Sequence, residues 1–394
     1  MRREATVGVV LAGSAAFLEL YATQPLLPLL ARTFRASTFE VGLTITAPTI
    51  AVAIFAPFIG RLADRVGLRR VIIGSAFLLT GATALAATAV TLRQLIFWRL
   101  MQGLMTPGIF AGTVAYIHEE WPASRAGRAT AAYMTGTIIG GFTGRAVAGL
   151  VAADVNWHAS FIALAVLNLA VAVALVAWLP PEHRPAHAHD HHLRGSSVVE
   201  HLRNGQLVAT YAIGFCVLFT QVAMFTYVTF YLAAPPFGLS TAALGWLFVV
   251  YVVGAIVVPF GGRWIDRYGH RAGLSAAMGT GAVGALLTLV PSLPVVAAGL
   301  ALCSTGVFVA QASTSSYIGA VTPSDRALAV GMYSTFYYAG GSVGGALPSV
   351  FWRAGGWSAC VLLVIVVQVL GAAIALTQWS PAHGVHGAVP EAGV

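Results

Sequence analysis

Runs of about twenty apolar residues, separated by short segments that hold nearly all the charge, fill this sequence from end to end and decide what it can fold into. Of 394 residues, 58% are hydrophobic and 9% charged, whereas soluble domains carry about 25% charged residues. So few charges cannot cover so apolar an interior in water, and the bilayer must solvate most of the surface. A membrane helix needs about 20 apolar residues. Spans are predicted at 7–30, 40–60, 71–90, 95–118, 128–152, 157–179, 207–232, 241–262, 272–291, 294–318, 328–351 and 357–379. The expected fold class is an all-α membrane protein of twelve transmembrane helices.

The net charge is +8, and every cation other than histidine is an arginine. A nucleic-acid-binding surface needs clustered basic residues on a solvent face, but these arginines fall singly between apolar spans, so no nucleic-acid partner is expected. The N-terminus and even-numbered loops hold fifteen arginines, the odd-numbered loops four, and two, Arg99 and Arg145, fall inside spans. The positive-inside rule puts both termini in the cytoplasm. The run from Val7 to Leu30 is too long for a cleaved signal peptide and reads as the first span. Cys216, Cys303 and Cys360 lie in apolar runs and read as packing residues.

The sequence repeats itself. Gly60-Arg61-Leu62-Ala63-Asp64-Arg65-Val66-Gly67 follows the second span and Gly262-Arg263-Trp264-Ile265-Asp266-Arg267-Tyr268-Gly269 the eighth, an offset of 266 − 64 = 202. Gly140, Gly141 and Gly144 recur as Gly340, Gly341 and Gly344, and Asn156-Trp157 as Gly356-Trp357, both at an offset of 200. These matches imply two like-oriented, pseudo-symmetric six-helix bundles, at 1–180 and 207–380, with a linker at 181–206 and a cytoplasmic tail at 381–394. The linker holds His183, His187, His189, His191 and His192. Such a composition can bind metals, but it reads better as a flexible connector, and no metal site is expected.

The stretch Gly60 to Arg70 resembles the loop 2–3 signature of the major facilitator superfamily, with its weaker copy in loop 8–9. Leu95-x-x-x-Arg99-x-x-Gln102-Gly103 resembles the helix 4 signature of its proton-coupled members. The glycines of the fifth span resemble the antiporter signature, with Gly141 in place of the proline and Arg145 in place of the last glycine. Overall the chain is similar to the arabinose-efflux-permease-like, YnfM-type carriers, which resemble drug:proton antiporters. The resemblance implies a latch between the two halves formed by Gly60, Asp64, Arg65, Gly67 and Arg69, with Asp266 and Arg267 as its second copy and Arg65 and Arg69 as ionic partners of Asp64. It also implies a monomer with no cofactor beyond the proton gradient, in a bacterial inner membrane.

Glu19 lies twelve residues into the first span, roughly 18 Å along a helix rising 1.5 Å per residue. An acid at that depth normally faces the bundle interior or a cavity, and desolvation favours its neutral form. It is therefore the expected proton carrier, with Arg99 and Arg145 as partners and Arg145 alternatively open to an anionic substrate. Gly140, Gly141, Gly144, Gly340, Gly341 and Gly344 permit close helix crossing. Tyr21, Gln24, Gln102, Gln221, Phe225, Tyr227, Gln311, Tyr337 and Tyr338 suit a mostly apolar cavity with a few polar groups. The function expected is secondary active transport of a small molecule, namely proton-coupled efflux by alternating access. The alternatives are proton symport or facilitated uptake of a sugar or organic anion, and, from another class, a membrane receptor that transports nothing. No nucleophile–base pair, phosphate loop or spaced metal ligands point to an enzyme.

Overall fold

The computed structural model describes residues 3–182, 195–322 and 326–380. Every regular element among them is helical. The first half runs α1 (Arg3–Leu18), α2 (Leu27–Phe34), α3 (Thr38–Phe55), α4 (Ile59–Val66), α5 (Leu68–Ala86), α6 (Leu92–Glu120), α7 (Ala123–Asp154) and α8 (Trp157–Trp178). The rest runs α9 (Gly195–Arg203), α10 (Gly205–Ala233), α11 (Thr241–Leu247), α12 (Val250–Tyr268), α13 (His270–Leu287), α14 (Leu293–Val321), α15 (Arg326–Ala346) and α16 (Pro348–Gln378). Nine stretches among the described residues are long and apolar enough to cross a membrane. The histidines predicted as a connector, and the tail at 381–394, lie outside the described residues.

Polar caps fix where several helices begin. Ser37 and Glu40 form a reciprocal capping box on α3, and Asn156, Asn204 and Ser240 accept from the free backbone N–H groups opening α8, α10 and α11. Such caps satisfy donors that lipid cannot. Four predicted spans are interrupted: the first between α1 and α2, the second by a 3-10 turn at Ala56–Phe58, the eighth at Phe248–Val249 and the eleventh at Leu347. The non-helical step inside α16 at Gly355 and Gly356, where Gly356 takes φ +61°, falls in the predicted gap between the eleventh and twelfth spans.

Packing follows the repeat. In the first half α1 lies on α7, and α5 on α6 and α8; in the second α10 lies on α15, and α13 on α14 and α16. A Cβ on Gly140 or Gly144 would strike the carbonyl oxygen of Ser14 or Leu18, and one on Gly340 or Gly344 that of Phe215 or Phe219. Backbone cannot yield as a side chain can, so these glycines set the helix spacing. Gly141 differs: its nearest neighbours would be the Arg145 side chain at 3.3 Å and Phe17 Cβ at 3.9 Å. Overpacking costs about 1–3 kcal/mol, so Gly144→Ala should lower the melting temperature in detergent markedly and Gly141→Ala little. Equal melting of both variants would contradict this packing.

The two copies differ where α5/α8 and α13/α16 meet. Asn168 Nδ2 donates to Ala76 O at 3.2 Å and Thr80 Oγ1 at 3.1 Å. An offset of 200 equates Asn168 with Gln368, and one of 202 equates Thr80 with Ala282. Without that hydroxyl, Gln368 is 1% exposed and both its amide atoms lack a partner. It borders a cavity of about 240 Å³ lined also by Ser275, Met278 and Ala282. An unpaired buried polar group costs about 1–3 kcal/mol. Gln368→Leu should therefore raise the melting temperature while Asn168→Leu lowers it; a drop for Gln368→Leu would show that its amide is paired after all.

The halves touch at one end of the bundle. Thr46 Oγ1 donates to Ser342 O at 2.8 Å, Ser342 Oγ to Thr49 Oγ1 at 3.0 Å, and Gln24 Nε2 to Thr226 Oγ1 at 3.1 Å. Gly42 faces Gly345, and Gly149 faces Thr241 and Gly245. All lie toward the α2–α3 and α10–α11 connections. Toward the opposite end α15 follows the second span as far as the turn at Ala56–Phe58; beyond it, among the described residues, no hydrogen bond joins the halves, and Leu62, Phe260 and Trp264 are exposed.

Candidate functional site

The break in the first span is the centre of a buried polar cluster. Residues 19–23 leave the helix, which resumes through a 3-10 turn at Gln24–Leu26. Leaving the helix frees carbonyl groups, and Arg99 of α6, fully buried, takes them up. Its Nη1 donates to Glu19 O at 2.8 Å, its Nη2 to Leu20 O at 2.5 Å and its Nε to Thr44 O at 2.9 Å, while Nη1 also reaches Gln102 Oε1 at 2.6 Å. The planar guanidinium fork suits such a convergent set of acceptors.

The Glu19 side chain, 1% exposed, does not pair with an arginine. Its Oε2 accepts from Thr83 Oγ1 and, at 3.5 Å, from Gln102 Nε2, and its Oε1 has no partner. The expected Glu19–arginine ion pair is thus corrected. Arg99 stabilises the backbone beneath the acid, because broken-helix carbonyls are acceptors fixed in place, and Arg145 bonds elsewhere. Gln102, expected in the cavity, belongs to this cluster instead, linking Arg99 to Thr83 at 2.7 Å. Thr83 was not anticipated; a threonine in an apolar run gives no signal until α5 and α1 are placed side by side.

Arg145 of α7 is 4% exposed. Its Nε donates to Gln24 Oε1 at 2.7 Å and its Nη1 to Gly141 O at 2.5 Å. Its guanidinium carbon lies 5.1 Å from the ring centre of Tyr21, 4.7 Å from that of Phe248 and 5.1 Å from that of Tyr251. Phe225 packs edge-on against Tyr251 at 4.6 Å. The structure thus brings Tyr21, Gln24 and Phe225 together and adds Phe248 and Tyr251, which sequence reasoning passed over as part of a uniformly apolar span. Tyr338 stacks obliquely on Phe110 at 5.7 Å and meets Tyr337 edge-on at 5.4 Å. Tyr227 lies elsewhere: its hydroxyl donates to Gly345 O at 3.1 Å, at the closed end. Gln311 is half-buried on α14, away from these residues in the hydrogen-bond pattern.

At loop 2–3 the charges divide differently than expected. Asp64 lies in the last turn of α4, where the helix dipole disfavours an anion. Among the described residues, no ion pair joins it to Arg65 or Arg69. The Arg69 side chain instead donates to Leu179 O and Val176 O at 2.7 Å each, closing the end of α8. Arg271 donates likewise to Leu376 O of α16. The anion at the start of α5 is Glu182, unanticipated, whose carboxylate accepts from the Arg69 backbone N–H. It sits 3.0 Å from where a Gly67 Cβ would be, and Gly67 itself takes φ +94°, which side-chain-bearing residues rarely adopt. Gly60 has open space beside it, Arg65 is exposed, and Arg267 lies 5.3 Å from the Tyr268 ring centre. The side chain of Asp266 lies outside the described residues.

Comparison with known proteins agrees with this architecture. The chain is 32% identical over 367 residues to the MFS-type transporter YybF of Bacillus subtilis (strain 168), covering 92% of this chain and 90% of that one. It is 31% identical over 374 residues to the inner membrane transport protein YnfM of Escherichia coli (strain K12), covering 93% and 88%. Two crystal structures share the fold. The nucleoside transporter NupG matches with a TM-score of 0.77 at 14% identity, covering 95% of this chain and all of that one. A bacterial homolog of the human lysosomal transporter Spinster, inward-facing and occupied, matches at 0.75 and 18%, covering 96% and 98%. The Major Facilitator Superfamily model matches residues 9–240 and 222–393. With both halves of the chain matched and transporters aligned along nearly its whole length, the protein belongs to the major facilitator superfamily, a family of membrane transporters and not of enzymes.

Proposed function

We propose that this chain is a proton-coupled exporter of a small molecule in a bacterial inner membrane, working by alternating access. In this reading twelve spans form two pseudo-symmetric six-helix bundles, 1–180 and 207–380, joined by the linker at 181–206 and followed by a tail at 381–394. Both termini are cytoplasmic, and the chain acts as a monomer. The matching helix contacts of the two halves and the paired Arg69 and Arg271 caps support the two bundles. With that orientation the hydrogen-bonded ends of the two halves face outward and the ends that no hydrogen bond joins face the cytoplasm, where an exporter loads.

The observation that carries proton coupling is the hydrogen-bond count at Glu19. Thr83 has one hydroxyl hydrogen, yet both Glu19 Oε2 and Leu79 O, at 2.8 Å from the Thr83 oxygen, stand as acceptors for it. An ionised Glu19 and the Leu79 carbonyl therefore compete for one donor. A proton on Glu19 removes the conflict: the acid donates to Thr83, and Thr83 donates to Leu79. The cluster has one well-defined place for a proton, at the point where the first span breaks. A proton arriving or leaving there changes the bonding of α1, α5 and α6 together, and through them the relation of the two halves.

Growth of cells that overproduce or lack the protein, challenged with a panel of toxic compounds, should reveal the cargo as a compound to which overproducers are more resistant. Inside-out vesicles should then accumulate that compound when their lumen is acidified, and addition of the compound should alkalinise the lumen. Accumulation by right-side-out vesicles instead would establish uptake. Accumulation indifferent to the pH gradient would remove the proton from the mechanism.

A further inference from the structure

We infer that the transported molecule is an organic anion, held by its carboxylate on Arg145 and by its apolar body among the rings around it. The inference deepens the transport reading and rests on it for the word transported; the binding site itself does not.

The argument begins with charge. Arg145 is almost fully buried, and among the described residues no carboxylate lies within ion-pairing distance of it. The nearby acid, Glu19, is engaged with Thr83 and Gln102. A guanidinium stays charged under any condition the protein meets, and a charge inside a membrane protein is costly unless it is paired or faces a cavity. The partners present are neutral: one amide oxygen, one backbone carbonyl and three ring faces. They orient the group without neutralising it.

The unused bonding capacity points the same way. Arg145 bonds through Nε and Nη1, and its Nη2 has no acceptor. The hydroxyls of Tyr21 and Tyr251, whose rings flank the guanidinium, are buried, that of Tyr21 without a partner and that of Tyr251 beside the equally unpaired amide oxygen of Gln221. Arg145 Nη2 and the Tyr21 hydroxyl are donors beside the guanidinium, with the Tyr251 hydroxyl, shared with Gln221, as a third; their complement is an oxyanion. Arginine with flanking hydroxyl donors recognises the planar carboxylate well. The ring faces of Phe248 and Phe225 supply an apolar wall for the rest of the molecule. Buried unpaired donors are rare in native proteins and call for a missing partner.

Position gives the site a consequence. Arg145, Tyr21 and Gln24 belong to the first half, and Phe248 and Tyr251 to the second. An anion that bonds to both sets ties the halves at mid-depth, beside the closed end, and its departure leaves Arg145 to aromatic faces alone. Cargo and gate are thus in the same few residues. By the repeat, Gly345 stands in the second half at the position of Arg145 once the offset of 200 is applied, so the second half has no matching cation.

The test uses the purified full-length chain in detergent and reads its thermal unfolding with added sodium salts of acetate, hexanoate, benzoate and indole-3-acetate. Benzamide, benzylamine, inorganic phosphate and chloride at matched ionic strength are the comparison probes. At least one organic carboxylate should raise the melting temperature in a saturable way while its amide and amine analogues do not. Arg145→Gln should weaken that apparent affinity roughly a hundredfold, as for loss of one member of a buried charge pair, and Tyr251→Phe, which keeps the ring, roughly fivefold. No response to any carboxylate, an equal response to benzylamine, or an unchanged response in Arg145→Gln would overturn the assignment, as would phosphate or chloride matching the best carboxylate. Because binding is read without a proton gradient, failure here is separate from failure of proton coupling, which Glu19 variants report.

Discussion

Glu19→Gln should leave a folded protein that exchanges cargo across the membrane but no longer accumulates it against a gradient. Glutamine has the shape of the protonated acid, and its amide can donate to Thr83 as that acid would. The conflict between Glu19 and Leu79 over the Thr83 hydrogen disappears for good. A carrier frozen in its protonated form still binds cargo and still switches, because nothing at Arg145 has changed. It cannot tie that switching to release of a proton. In proteoliposomes, uphill transport driven by a pH gradient should fall to the level of empty vesicles, and exchange at equal pH on both sides should persist with a flat pH profile. The melting temperature should hold or rise, since one buried charge is gone. A variant that still pumps uphill with the parental pH dependence would end the role given to Glu19. Thr83→Val is the companion: it removes the shared hydroxyl, leaves the acid, and should shift the pH profile while retaining some pumping.

Much of this was readable from the sequence, for reasons that differ by level. The membrane-crossing character was legible because lipid imposes length and composition directly, and nine stretches among the described residues are long and apolar enough to cross. The recurring glycines and arginines were legible, and their copies make like contacts: Gly140 meets backbone of α1 and Gly340 that of α10, and Arg69 and Arg271 close the ends of α8 and α16. The depth of Glu19 followed from counting along the chain. What the sequence hid was who bonds to whom. Reasoning from charge gave Glu19 Arg99 and Arg145 as partners, and the resemblance gave Asp64 Arg65 and Arg69. In the structure Arg99 and Arg69 both bond to carbonyl oxygens, which every residue has and no sequence displays. The break at residues 19–23 was equally hidden, since Leu20, Tyr21 and Ala22 would serve a continuous helix as well. Tyr251 and Phe248 vanished into an apolar span for the same reason. Glu182 was passed over because its use depends on where the start of α5 lies in space.

Arg99→Leu should be the most damaging single change in the chain, and it separates architecture from coupling. The second half supplies the comparison. Its first helix, α10, runs unbroken from Gly205 to Ala233, and the contact of Gly344 with Phe219 sets Thr220 where the contact of Gly144 with Leu18 sets Glu19. The helix matching α6 is α14, which contains no arginine. Break and arginine occur together in one half and are absent together from the other, as they must be if the arginine's bonds stabilise the break. Removing it orphans Leu20 O, Thr44 O and Gln102 Oε1 where no water reaches, and leaves Glu19 O only its bond from Ala22 N–H. At about 1–3 kcal/mol for each unsatisfied group, partly recovered by relaxation, the loss rivals the whole stability of a typical fold, about 5–15 kcal/mol. Little folded Arg99→Leu protein should survive extraction from membranes. Arg99→Lys keeps the charge but replaces the planar fork with one point donor. It should fold, exchange amide hydrogens faster at residues 19–23, and transport with a displaced pH dependence, because the acid moves with the backbone that bears it. Should Arg99→Leu melt like the parent, the break must be held by something other than this guanidinium, and the link from α6 to Glu19 fails with it.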